Sequence, residues 1–78
     1  SGDMTVGEIF ERMDYEPETE DEELSYKRAS EWAFEHFRHV PSVGETFTYE
    51  TLTIRVTRMR QNRIVQLSVM DSKGGADV

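Results

Sequence analysis

The segment Val40-Pro41-Ser42-Val43-Gly44-Glu45 separates two stretches with different apolar periods, and no single element can run through it. Proline has no N–H to donate and forces its predecessor away from helical dihedrals, so a helix arriving from the N-terminal side is expected to stop near His39 or Val40. Gly44 then permits the turn into a strand. No reactive residue sits in the break, which fixes an architecture and names no chemistry.

Before the break the pattern is helical. Thr5-Val6-Gly7-Glu8 fits a capping box, and Val6, Ile9, Phe10 and Met13 follow at helical spacing, which predicts a first helix over residues 6–13. Residues 14–23 hold seven acids and Pro17, a composition that predicts a solvated loop. A second helix is expected from Ser25 to about His39. Its core stripe is Tyr26, Ala29, Ala33, Phe37 and Val40, flanked by Trp32 and Phe34, with Arg38 and His39 at the negative end of the helix dipole.

After the break the strands are tested by pairing. A two-residue turn at Gln61-Asn62 sets Arg60 opposite Arg63, Met59 opposite Ile64, Val56 opposite Leu67 and Ile54 opposite Val69. Apolar residues meet apolar ones. Alternation breaks between Val56 and Met59 and again between Ile64 and Leu67, across from each other, which predicts a twisted tip or paired bulges. A second connection at Glu50-Thr51 sets Phe47 opposite Ile54 and Tyr49 opposite Leu52. One sheet face then carries Phe47, Tyr49, Leu52, Ile54, Val56, Leu67 and Val69. The other carries Thr46, Thr48, Thr53, Arg55, Thr57, Gln66 and Ser68. The predicted fold is α+β, two helices on one face of a three-stranded antiparallel meander. One domain is expected over residues 1–71, followed by a frayed tail at 72–78.

Composition narrows the functional classes. A 78-residue chain with 36% hydrophobic residues can bury one thin core. The absence of cysteine excludes disulfides, thiolate chemistry and cysteine-based zinc sites. No apolar run approaches the ~20 residues a membrane span requires. The net charge is -7, divided unevenly: 12 acids against 3 bases in residues 1–37, and 4 against 6 in residues 38–78. The acidic total argues against nucleic-acid binding through general electrostatics, although the arginine-bearing hairpin leaves RNA as a third-ranked reading.

Candidate sites are few. Arg58, Arg60 and Arg63 fall on one face of the hairpin tip, where like charges require a counter-anion. They form either an anion or nucleotide-phosphate site or salt bridges to the acidic loop or to solvent, the latter being the default. Within the acidic run, Glu20, Asp21 and Glu23 are the candidate ligands for a hard divalent cation, but EF-hand spacing and its turn glycine are missing, so a solvated loop is the default. His36 and His39 could supply two zinc ligands, yet a third is not evident. Trp32, Phe34, Phe37, Phe47 and Tyr49 could stack a flavin or adenine ring, whereas so small a domain needs them in its core. The serines lack a paired base or a nucleophile-elbow context. No enzyme is predicted.

The string from Ala29 to Glu45, then Phe47-Thr48-Tyr49-Glu50, then Ile54 to Ile64, resembles the transporter-associated domain of the CorC/HlyC family. That family's pattern has a helix, an Ile-Pro-x-x-Gly-Glu break, a strand ending in Tyr-Glu-Gly, and a hairpin with an Arg-Ile pair after its turn. The resemblance spans roughly residues 5–70. It implies half of a flavin-binding-domain-like fold and a non-enzymatic regulatory or interaction domain at the cytoplasmic C-terminus of a membrane protein of the magnesium and cobalt efflux type. The implied partners are the parent's CBS domains and membrane domain, and a divalent cation or adenine nucleotide belongs to the parent. The isolated piece is expected to be soluble. The alternative is a small flavin- or nucleotide-binding module. Three departures stand out. Lys27-Arg28-Ala29-Ser30-Glu31 replaces an Asp-Thr-hydrophobic-Gly-Gly helix entry, Thr51 replaces the hairpin glycine, and the family's leading strand ends near the equivalent of Gly2. Loss of that strand would leave a sheet edge unpaired and prone to homodimerise.

Overall fold

The computed structural model describes residues 4–72. Gly2 and, apart from Ser72, the expected tail lie outside the described residues.

Helix α1 spans Val6–Arg12 and starts as its sequence predicts. The Thr5 hydroxyl accepts the Glu8 amide at 3.1 Å, and the Glu8 carboxylate accepts the Thr5 amide at 3.0 Å, so two orphan donors of the first turn are satisfied. Gly7 is required for close packing, because a Cβ there would stand 2.8 Å from the Ser25 carbonyl oxygen.

The expected second helix is two helices, α2 at Glu22–Tyr26 and α3 at Ala29–Glu35, separated by extended residues Lys27 and Arg28. The cause is a long-range backbone pairing. Thr5 and Arg28 form an antiparallel bridge, in which the Val6 amide donates to the Lys27 carbonyl at 2.9 Å and the Ala29 amide to the Met4 carbonyl at 2.8 Å. Groups committed to that bridge cannot continue a helical ladder. The start also differs from expectation, since the Asp21 carboxylate caps the Leu24 amide at 3.1 Å and draws Glu22 and Glu23 out of the loop into the first turn of α2. At the other end α3 stops at Glu35, four residues before His39. The Phe37 amide reaches the Phe34 carbonyl in a tightened last turn, and the His36 ring stacks on Phe47 with centroids 4.1 Å apart. Tyr26 (81% exposed) and Val40 (45%) therefore leave the expected stripe, Arg38 and His39 lie beyond the helix, and Trp32, expected on the flank, is 4% exposed.

The sheet follows the predicted register. Strands β1 (Thr46–Tyr49), β2 (Leu52–Arg60) and β3 (Arg63–Asp71) form an antiparallel meander in the order β1-β2-β3. Phe47 faces Ile54, Tyr49 faces Leu52, Ile54 faces Val69, Val56 faces Leu67 and Met59 faces Ile64. Register shifts between Val56 and Met59 leave Thr57 and Val65 unpaired, one extra residue on each strand, so the bulges compensate and the apolar face continues to the tip.

The helices cover that face. A main cluster joins Val6, Ile9, Phe10, Met13, Ala29 and Trp32 to Leu52, Ile54 and Val69. A smaller cluster of Ala33, Val56 and Ile64 lies toward the tip, with Phe47 and Leu67 packed against both. No polar or charged side chain is buried among the described residues. The opposite sheet face is the expected polar one, with Thr46, Thr48, Arg55 and Gln66 exposed.

Candidate functional site

The β2–β3 tip is built by a two-residue turn in which Gln61 and Asn62 both take positive φ, 49° and 63°, the geometry whose twist matches a hairpin. Arg60 stands opposite Arg63, and Arg58 lies two residues along the same strand, paired with Gln66. All three are exposed. An open cleft of ≈ 680 Å³ lies between the tip and α3, lined by Arg60, Asn62, Arg63 and Ile64 on one side and by Glu31 and Phe34 on the other.

The acidic loop does not reach this tip. Tyr15 and Glu18 attach instead to Glu50, in the β1–β2 turn at the opposite end of β2. Salt bridging of the arginines to residues 14–23 of their own chain, one default at the level of sequence, is thus absent among the described residues.

The candidate cation ligands lie at the start of α2. Asp21 is the α2 cap, and Glu20 and Glu23 are exposed. Among the described residues no group of three or more His, Asp or Glu is placed to hold a metal ion. The early end of α3 separates the two histidines, His36 stacking on Phe47 while His39 Nε2 lies 2.8 Å from Glu45 Oε1. The aromatic residues are used within the fold: Trp32 packs edge-on against Phe10, Phe47 and Tyr49 at 5.2–6.4 Å. Phe34 differs, being 37% exposed at the cleft.

Two carboxylate clasps were not foreseen from the sequence. Glu50, at a strained φ of 54°, accepts the Tyr15 hydroxyl and the Glu18 amide, which ties the acidic loop to the sheet. Glu45 accepts the Ser42 amide at 2.6 Å and lies beside His39, closing the proline-glycine break. The break is further fixed to β2 by Gly44 N–H to Val56 O at 2.7 Å and Val56 N–H to Glu45 O at 2.9 Å. Ser-x-x-Glu spacing at Ser42 and Glu45 was a readable signal for the second clasp, whereas nothing local announces the first.

A family model described as the transporter associated domain, CorC/HlyC, matches residues 1–72. The chain belongs to that family. The transporter associated domain is not a known catalytic family, and no helix among the described residues is long and apolar enough to cross a membrane. Searches of curated proteins and of solved structures find no match.

The clasps are expected to make the stability of this transporter associated domain depend on acid pH. Hydrogen bonds from Tyr15 and Glu18 hold Glu50 below the usual carboxylate range, and those from Ser42 and His39 do the same for Glu45. A carboxylate lowered in the folded state contributes its full stabilisation above the ordinary Glu value of about 4.3, and loses it as pH falls through the lower folded value. Urea midpoints are expected to drop on acidification below about pH 4.3, with a shallower drop for Glu50→Gln. An unchanged slope in that variant would remove Glu50 from the linkage.

Proposed function

We propose that this domain is a non-enzymatic regulatory contact module at the cytoplasmic C-terminus of a CBS-containing membrane protein of the magnesium and cobalt efflux type. The family match over residues 1–72 carries the reading. The distribution of polar groups supports it: the interior is apolar among the described residues, and the ionisable side chains lie outside it. Such a domain acts by what it touches. The arginine tip and the cleft against α3 are the surface offered to the parent's CBS pair, where a positively charged rim steers an acidic partner surface and fixes its register. A divalent cation or adenine nucleotide is bound by the parent outside this domain, and the domain transmits the resulting change.

The test is an NMR titration of the isotopically labelled domain with the purified CBS pair, together with transport by the parent carrying Arg60→Glu. Shifts at Arg58, Arg60, Arg63 and Phe34, and altered efflux in the variant, are the expected result. Absence of binding together with unaltered efflux would overturn it. So would a flavin spectrum released on denaturation, which would favour a cofactor-binding module.

A further inference from the structure

Phe34 stands apart from the other phenylalanines. Phe10, Phe37 and Phe47 each pack against another ring, whereas Phe34 meets none among the described residues and belongs to neither core cluster. It is 37% exposed on α3 and borders the ≈ 680 Å³ cleft, with Ile64 and Val65 on the hairpin side. The compensating bulge leaves Val65 out of the ladder, and its half-buried side chain lines the same cleft. An aromatic ring and arginines around one concavity are the residue types that carry most of the binding energy in protein interfaces.

The arginines at this cleft have no counter-charge within the domain. Arg60 and Arg63 face each other across the last pair of the hairpin, where like charges are unfavourable. Among the described residues no carboxylate forms an ion pair with either. Each guanidinium presents a planar fork that fits a carboxylate or a phosphate. Glu31 decides between the two. It is exposed on the α3 wall of the same cleft, so a polyphosphate or nucleic-acid backbone would bring its charge against a carboxylate, on a chain whose net charge is already -7. A peptide avoids that conflict, because its carboxylates are confined to particular side chains and its backbone N–H groups can donate to Glu31.

We propose that the cleft receives a short peptide segment in which a large apolar side chain stands next to acidic ones. The apolar side chain packs between Phe34 on one wall and Ile64 and Val65 on the other, the acidic side chains meet Arg60 and Arg63, and a backbone N–H donates to Glu31. The inference rests on the contact reading above and adds what the partner must carry, a loop or linker of this composition that enters the cleft.

Selection of a random peptide library displayed on phage against the immobilised 78-residue chain tests the proposal. The recovered sequences are expected to share one large apolar residue flanked by Asp or Glu, and a synthetic peptide of that consensus should shift the NMR signals of Phe34, Arg60, Arg63 and Ile64. Its Kd should rise about tenfold or more for Phe34→Ala and for Arg60→Glu/Arg63→Glu, each confirmed as folded by circular dichroism. A library that yields no binder, or binders without acids, overturns the proposal. So does a consensus peptide that keeps its affinity in both variants or shifts signals elsewhere on the domain, and so does tighter binding of inorganic phosphate, anionic vesicles or oligouridylate at the same residues. The two readings fail separately. A CBS pair that binds the tip while the library gives no acidic consensus leaves the contact module standing and removes this ligand, whereas an acidic peptide that binds while the CBS pair does not removes the proposed parent and leaves the cleft's ligand.

Discussion

Replacing Trp32 by alanine is expected to cost about 3–5 kcal/mol, as large aromatic truncations in cores do. A domain of this size rarely holds more than roughly 3–5 kcal/mol in total, so the variant should be largely unfolded at 25 °C. Trp32 is placed for that effect. It is 4% exposed and lies at the crossing of α1, α3 and β1, where Phe10, Phe47 and Tyr49 meet its edges. Removing the indole leaves a void bordered by the rings of Phe47 and Tyr49 on β1 and of Phe10 on α1, so little collapse can refill it. Far-ultraviolet circular dichroism with a urea titration measures the outcome. A cooperative transition with a midpoint near that of the parent sequence would contradict this account of the core.

The second large effect is expected at Ile54. It is fully buried on the central strand, with Phe47 opposite on β1 and Val69 opposite on β3, so both hairpins pack through it. Ile54→Ala should cost about 2–5 kcal/mol, and Ile54→Val about 0.5–1.5 kcal/mol. The graded pair tests whether the loss grows with the side-chain volume removed at this buried position. Equal urea midpoints for the two variants would show that the cavity is not the cause.

Much of the sheet was legible because its information is local. Facing apolar residues and a two-residue turn determine the β2–β3 register, and the opposed breaks in alternation announce the compensating bulges at Thr57 and Val65. The helical half was less legible. Nothing near Lys27 and Arg28 says that their backbone will be claimed by Met4, Thr5 and Val6, some twenty residues away, yet that pairing divides one expected helix into two. Proline at position 41 bounds where a helix must end, but α3 ends earlier, at Glu35, where the His36 ring after it stacks on Phe47 across the fold.

The same distinction applies to the candidate site. The clustering of Arg58, Arg60 and Arg63 follows from strand parity and was readable. Their separation from the acidic loop was not, because it depends on Glu50 capturing Tyr15 and Glu18 at the far turn. The small size of the domain likewise pointed to the aromatic residues as core, while Phe34 lies 37% exposed at the cleft between α3 and the tip.

The division of the interior into two clusters has a dynamic consequence. Among the described residues, nine buried ones hold the base, whereas Ala33, Val56 and Ile64 form the buried set at the tip. Opening the small cluster exposes little apolar surface and leaves the large one intact, so the tip can fray as a unit at a fraction of the global unfolding free energy. The end of the molecule with the arginines is then also the end able to readjust its shape when a partner arrives.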